Sequence, residues 1–372
     1  MTGRARVLVL GHEKKLARRA MDRFTTRYEF VRPDAVDATT ATTPGPQLLQ
    51  AVDRLVSEAP LAAVVATTES AMLAAGFLRT QYGLPGLGYE QSVRATNKWR
   101  MRSVLSPVVR SPRAWLSGDF LSCGEDPAAD VVVKPLASSS ARGVRRMTAG
   151  HARDWLRGHD GLWLVEEAVA VTREFHCDGA FQEGRLSWVE VSEYDRPVLR
   201  SHGTRSTCVL RRDDPVRPLL AERAGLVIEG LGCRDGVFHM EFLHDGSDLF
   251  FGEVGLRPGG TGIAELLQIA TGADLWAAFV ATQLGENSGG FAPRRAAEEI
   301  TGLVMARTDQ DGRPPVPPQV ARELPGVVGL GDGNLEHGTR PSHMCEFEYL
   351  AFFEGLSTEQ VPRLRASVAV AR

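Results

Sequence analysis

Two carboxylates twelve positions apart are the residues of this sequence best suited to chemistry: Glu241 in "VFHMEFL" and Glu253 in "LFFGEVGLR". The intervening "HDGSD" carries an Asp-Gly hairpin signal at 245–246, so the flanking residues predict two antiparallel strands with both carboxylates close together on one face. Like charges so placed repel unless a cation separates them, and carboxylates with phosphate oxygens are a standard setting for magnesium. Arg257 follows four positions after Glu253, just ahead of the glycine turn Gly259–Gly260. An arginine there suits a transferring phosphoryl group or a substrate carboxylate. A Glu–Arg ion pair on a solvated hairpin would account for the same residues. Alternation puts His239 on the face of Glu241, either beside a metal or in a structural hydrogen bond to a backbone carbonyl.

Three further groups precede this pair. In "VVVKPLASSSARGV" (131–144) an apolar strand delivers Lys134, and a loop with Ser138, Ser139, Ser140 and Gly143 follows. Small residues let backbone N–H groups approach an anion, hydroxyls add donors, and the lysine supplies a point charge for phosphate. The lysine precedes the glycine, so this is no P-loop. Lys98, in "NKWRMRSVL", sits on a helix with Arg100 and Arg102, where solvation alone would explain it. In "WLVEEAVAVTREF" a strand ends in Glu166 and Glu167, and Glu174 follows. One such glutamate could accept from the adenine amino group and another from ribose hydroxyls; a carboxylate facing water is the plain alternative. Tyr194, Arg200 and Arg205 in "EYDRPVLRSHGTRSTC", with Arg257, Gly259 and Gly260, are candidate substrate groups that could equally lie on the surface.

The elements that must position these residues fall into blocks. Up to about residue 90, strand and helix patterns alternate ("ARVLVL", "YEFVRP" and "LAAVVATTE" between amphipathic segments), predicting a parallel sheet with helices on both faces. No G-x-G-x-x-G occurs in that block, so the dinucleotide fingerprint is missing. Short strands and turns occupy 105–175, and alternating runs from 175 to 260 predict antiparallel strands, with hairpin signals at Asp178-Gly179, Glu183-Gly184 and Asp245-Gly246. An apolar helix pair ("IAELLQIATGADLWAAFVATQLG"), a proline-rich loop and a tail of strands with a final helix complete the chain. The expected class is mixed α/β.

At 372 residues the chain exceeds one small core, and 43% apolar with 24% charged residues is ordinary for a globular protein. A net charge of −3, from 43 basic and 46 acidic residues, argues against a general nucleic-acid binder. Five cysteines without a C-x-x-C pair predict reduced thiols. The apolar run near the N-terminus is only Val7–Leu10, too short for a secretory segment, and nothing approaches a membrane span. The expectation is a cytoplasmic protein with small-molecule partners, no nucleic acid or membrane, and a homodimer as the default assembly.

Taken in order, the pieces resemble the ATP-grasp superfamily of carboxylate–amine ligases over roughly residues 60–285. They are a lysine on a helix, a lysine before a Ser/Gly loop, a Glu-Glu hinge, and two glutamates followed by Arg257-Pro258-Gly259-Gly260. The resemblance implies an open parallel α/β domain at 1–95, a small lobe with central linker at 96–175, a large lobe with the metal strands at 176–295, and a C-terminal extension packing on it at 296–372. It implies that Lys98 and Lys134 contact ATP phosphates under a flap from Ser138 through Ser139 and Ser140 to Gly143. Glu166, Glu167 and the backbone around Ala168 would hold adenine, and Glu174 the ribose. Glu241 and Glu253 would bind Mg2+, while Lys134 and Arg257 would act in catalysis. The implied activity is that of an ADP-forming carbon–nitrogen ligase. It joins a small carboxylate, amino acid or peptide to an amine through an acyl-phosphate. Two departures stand out: Gly255 occupies the last position of Glu253-Val254-Gly255, where members show Glu-x-Asn, and the flap "SSSARG" is poorer in glycine. Two alternatives stay open, a biotin-carboxylase-like enzyme activating bicarbonate and a nucleotide-binding regulator without catalysis.

Overall fold

The computed structural model describes residues 3–369 apart from 13, 34–41, 125–129, 139–140, 201–202, 344 and the side chain of Arg200. The chain opens with β1 (Ala5–Leu10), α1 (Lys15–Asp22), β2 (Tyr28–Val31), α2 (Pro46–Glu58), β3 (Leu61–Ala66) and α3 (Glu69–Tyr82). These strands form a parallel sheet in the order β2-β1-β3. The unbroken run Val7–Leu10 is at most 2% exposed, as expected of a parallel strand covered on both faces. Gly83, at φ +64, closes α3 in the left-handed conformation that suits a glycine cap.

Two short helices, α4 (Tyr89–Thr96) and α5 (Lys98–Leu105), lead into a second unit. It comprises β4 (Ala114–Leu116), α6 (Ser117–Ser122), β5 (Val131–Pro135), β6 (Arg145–Met147), α7 (Ala149–Arg157) and β7 (Trp163–Glu167). Its strands pair antiparallel in the order β4-β7-β5-β6. A separate apolar cluster of Phe120, Val131, Val133, Ala152, Leu156 and Val165 holds α6 and α7 to this sheet.

The remainder comprises β8 (Arg173–Gln182), β9 (Arg185–Tyr194), β10 (Arg205–Val209), α8 (Arg217–Leu231), β11 (Gly236–His244), β12 (Leu249–Gly255), α9 (Ile263–Thr271), α10 (Leu275–Gln283), β13 (Ile300–Ala306), α11 (Pro318–Arg322), β14 (Val327–Asp332), β15 (Tyr349–Leu356) and α12 (Gln360–Ala369). Eight strands make one antiparallel sheet in the order β12-β11-β8-β9-β10-β13-β15-β14. Residues 300–356 thus contribute strands to the large sheet itself and do not only pack on it.

One turn expectation needs correction. Asp178-Gly179 is no hairpin but lies within β8; the chain reverses at Glu183 and Gly184, with φ +51 and +76. Gly179 is required for packing, since a Cβ there would lie 2.2 Å from the Trp188 carbonyl oxygen.

The parallel sheet and the large sheet share one continuous apolar core. Arg79, 1% exposed, fastens them: it donates to the carbonyls of Val64 (2.7 Å) and Leu87 (3.1 Å) and to Oε1 of Gln283 on α10 (2.6 Å). Among the described residues no single helix is long and apolar enough to cross a membrane; the apolar pair α9 and α10 meets at 110°.

Candidate active site

The small sheet and one face of the large sheet enclose a cavity of about 280 Å³. Its far edge is the β11–β12 hairpin. Glu241 and Glu253 are direct cross-strand partners, as expected from the spacing. Register then slips, with Phe242 opposite Phe251, so Gly252 is the extra residue of a bulge. A Cβ at Gly252 would come within 3.0 Å of the Glu241 carbonyl oxygen, so the bulge depends on glycine.

Helix α5 reaches this edge from behind. Asn97 caps it, its side chain accepting from the Arg100 amide (3.1 Å), and the Lys98 amide bonds the Leu136 carbonyl beyond β5 (2.8 Å). Lys98 Nζ lies 2.5 Å from Glu253 Oε2. Burial works against the Lys98 ammonium, but Glu253 more than offsets it and raises the pKa. Burial likewise works against the Glu253 charge, and Lys98, Lys134 and Arg257 bring its pKa down to about 2.

One helical turn after Lys98, Arg102 binds Glu166 Oε1 through Nε (2.9 Å) and an η nitrogen (2.7 Å), while Lys134 Nζ holds Oε2 at 2.6 Å. Arg102 also donates to the carbonyls of Phe251 (3.0 Å) and Gly252 (2.9 Å), tying the small sheet to the bulge. Despite its burial, Glu166 has its pKa lowered by Arg102 and Lys134. Glu166, to which the sequence reading gave the adenine amino group, lines the cavity with both its oxygens engaged by cations. The Ala168 amide is taken as well, donating to the Asp130 carbonyl (2.8 Å), although Glu167 and Ala168 line the cavity.

Of the expected phosphate loop, Ser139 and Ser140 lie outside the described residues. Ser138 Oγ is buried and meets no partner among the described residues. Gly143 turns back at φ +74 against Pro135, and its neighbours Ala141 and Val144 face the cavity.

Beneath the cavity a polar chain crosses three strands, β8, β10 and β11. Glu174, His176 and Asp178 alternate along β8 with Phe175 and Cys177, which are buried apolar residues. Asp178, fully buried, takes His176 Nδ1 at 2.6 Å on one oxygen and His239 Nδ1 at 2.9 Å on the other. Burial opposes its charge, yet His239 and His176 hold its pKa well below the usual carboxylate range. His176 Nε2 reaches Thr207 Oγ1 (2.8 Å), whose hydroxyl donates to the Glu193 carbonyl (3.0 Å). His239 Nε2 stands 3.7 Å from Glu241 Oε1. Burial disfavours the His239 charge, but Asp178, followed by Glu241, raises its pKa to about 10. Its partner is thus a carboxylate, not the backbone carbonyl considered from the sequence. Glu174 accepts from the Val198 amide (2.8 Å); burial and the neighbouring Glu241 push its pKa up to about 8.

Arg257 lies at the cavity with Nε 2.7 Å and an η nitrogen 2.6 Å from Glu69 Oε2, at the start of α3. Gly260, Tyr194 and Arg205 also line the cavity. Gly259 packs closely, a Cβ there falling 2.9 Å from Asp178 Oδ1 and 2.8 Å from Ile263. The Arg200 side chain falls outside the described residues.

Sequence reasoning missed Arg102, Glu69, His176, Asp178 and Thr207 as parts of this arrangement. Arg102 had a signal, since i and i+4 share a helix face with Lys98. The Glu174–His176–Asp178 alternation had another, a polar strand face between buried residues. Glu69, 188 positions from Arg257, had none.

No protein-family model matches the chain. An L-arginine-specific L-amino acid ligase of Bacillus subtilis is 29% identical over 234 residues, 58% of this chain and 56% of that protein. The chain thus matches just over half the length of this relative. Among solved structures, the L-amino acid ligase of Bacillus licheniformis superposes with a TM-score of 0.75 at 16% identity, covering 98% of this chain and 97% of that one. The carboxyaminoimidazole ribonucleotide synthase of Aspergillus clavatus, complexed with ATP, gives 0.71 at 12% identity, covering 98% of each. At these identities the likeness establishes the fold, the ATP-grasp fold that the order of motifs suggested.

Proposed function

We propose that this chain, with its ATP-grasp fold, is an ADP-forming ligase that activates the carboxylate of an amino acid with ATP and joins it to an amine. One observation carries the reading. Two cations from different parts of the chain, Lys134 and Arg257, line one cavity with the opposed Glu241 and Glu253, a third, Lys98, stands behind Glu253, and each rests on a carboxylate: Lys98 on Glu253, Lys134 on Glu166 and Arg257 on Glu69. The match to an L-amino acid ligase agrees with it.

In this scheme the substrate carboxylate attacks the γ-phosphate in line, forming an acyl-phosphate and ADP; the amine then attacks the acyl carbon and phosphate leaves. Little covalent chemistry falls to the protein, so positioning and charge do most of the work. Lys134 and Lys98 offer ammonium groups to phosphate oxygens, with Glu166 and Glu253 fixing their direction. Arg257, on the turn before α9, is placed to meet the charge that builds at the transferring group and then on the tetrahedral oxygen. The apolar side chains Leu303, Met305 and Ile263 shield that end of the cavity from water. The donor set fits magnesium, since two hard carboxylates face each other in register at the cavity edge. Bound there, the ion would neutralise phosphate charge.

The test is a panel of amino acid pairs, including L-arginine with a second amino acid, incubated with ATP and Mg2+. ADP release that depends on both substrates, with a product at the mass of their amide, supports the proposal; no pair raising ADP release above background sinks it.

A further inference from the structure

Position 255 leaves a question the ligase reading does not answer. Glu253 and Gly255 share a face of β12, so a residue at 255 could add an oxygen beside the two glutamates, yet glycine adds none. Space is not the reason. The nearest neighbours of a Cβ on Gly255 would be Arg257 atoms at 3.6–3.8 Å, ordinary contact distances.

The strand facing Gly255 supplies a side chain where β12 lacks one. His239 is the direct cross-strand partner of Gly255, as Glu241 is of Glu253, so His239 and Glu241 stand side by side on the cavity face of β11. The ring is fixed from behind. Nδ1 is bound to Asp178 Oδ1 at 2.9 Å, Asp178 is itself held by His176 and fully buried, and Nε2 is turned to Glu241 at 3.7 Å. A carboxylate behind one imidazole nitrogen with the other directed at neighbouring carboxylates is the arrangement that orients metal-ligating histidines.

We propose that His239 Nε2 is the third protein ligand of the divalent cation held by Glu241 and Glu253, taking the coordination place that Gly255 leaves. Asp178 is the positioning residue that fixes the ring. The inference rests on the metal role given to the two glutamates above. Ligation requires the Nε2 proton to leave for solvent, the cation replacing its charge beside Glu241. A mixed nitrogen and oxygen donor set gives the site an affinity for Mn2+ above that for Mg2+. The other reading of this cluster, an ion shared by His176, Asp178 and His239, is disfavoured, because both Nδ1 atoms already meet Asp178 at hydrogen-bond distance and His176 Nε2 is taken by Thr207.

The test uses Mn2+ alone on the full-length protein, read by pulsed electron paramagnetic resonance. Imidazole nitrogen coupling to the bound Mn2+ is expected in the wild type. His239→Gln should abolish the coupling and weaken Mn2+ binding by about tenfold or more, the size seen when even an outer-shell partner is lost. Adding Gly255→Asn to His239→Gln should recover affinity through an amide oxygen without restoring the coupling, and a thermal melt checks that each variant is folded. Bound Mn2+ without nitrogen coupling in the wild type, or coupling unchanged in His239→Gln, overturns the inference, and so does failure of Mn2+ to bind. The wild-type spectrum decides even if the variants do not fold. An active ligase without the coupling would contradict this inference alone; the coupling in a protein that forms no amide would contradict the ligase reading alone.

Discussion

Arg257, Glu166 and Glu174 are charged or chargeable groups at one cavity, and their neighbours give them three different tasks. Arg257→Ala removes a cation placed for the transition state, so kcat for amide formation should fall by ~10²–10³-fold while ATP still binds by calorimetry. Unchanged kcat would remove Arg257 from the mechanism. Glu166 is lowered in pKa by Arg102 and Lys134, so its stabilising contribution is present above its ordinary value of 4.5 and is lost as pH falls through the lower folded value. Glu166→Gln strands two buried cations, and its melting temperature should drop at pH 7, with a shallower loss of stability on acidification. Glu174 has the opposite sign. Its folded pKa of about 8 lies above the ordinary 4.5, so the folded state is favoured below pH 4.5, and that advantage fades as pH rises to 8. Glu174→Gln should therefore gain stability relative to wild type between pH 5 and 8, read by thermal melts across that range. Residue type alone suggested that Glu166 faces a ligand. The ion pairs that occupy it come from positions 102 and 134, and no local pattern predicts which carboxylate a distant cation will claim.

At the scale of elements, α5 is a short lever whose one charged face reaches two different strands, Lys98 to β12 and Arg102 to β7. Its position depends on the Asn97 cap and on one backbone bond to the loop after β5. Asn97→Ala should cost about 1 kcal/mol of stability, and it should raise the KM for ATP more than it lowers kcat, because Lys98 is set by that first turn. An unchanged KM would mean that α5 is held from elsewhere. Strand alternation made the β11–β12 hairpin legible, since opposed carboxylates flanked a true turn. The same logic failed at Asp178-Gly179, because an Asp-Gly pair serves a turn or a crowded strand equally well. What decided it was the Trp188 carbonyl beside Gly179, a contact nine residues away that the local pattern does not carry.

Across the whole molecule, the parallel sheet and the large sheet share a core, while the small sheet has its own. Periodicity was enough to separate the parallel block from the antiparallel ones. It did not reveal that the strands after residue 300 complete the large sheet, because pairing of β10 with β13 joins segments almost a hundred positions apart. Arg79 is the buried fastening between the first block and α10, its pKa brought down to about 10 by burial. Arg79→Ala removes a donor from the Val64 and Leu87 carbonyls and one of the two donors to Gln283 Oε1, which keeps the Ala66 amide, and should destabilise the protein by about 1–3 kcal/mol in urea denaturation, lowering activity only through loss of folded protein. A loss below about 1 kcal/mol would show that the shared apolar core alone holds the two blocks together.

The account turns on activation of a carboxylate by phosphoryl transfer at this cavity. An amino acid substrate labelled with ¹⁸O in both carboxylate oxygens tests it most directly. The predicted result is one ¹⁸O in the inorganic phosphate for every amide formed, together with ADP, since the acyl-phosphate oxygen leaves with phosphate. Unlabelled phosphate accompanying the amide, or AMP and pyrophosphate in place of ADP, would contradict it.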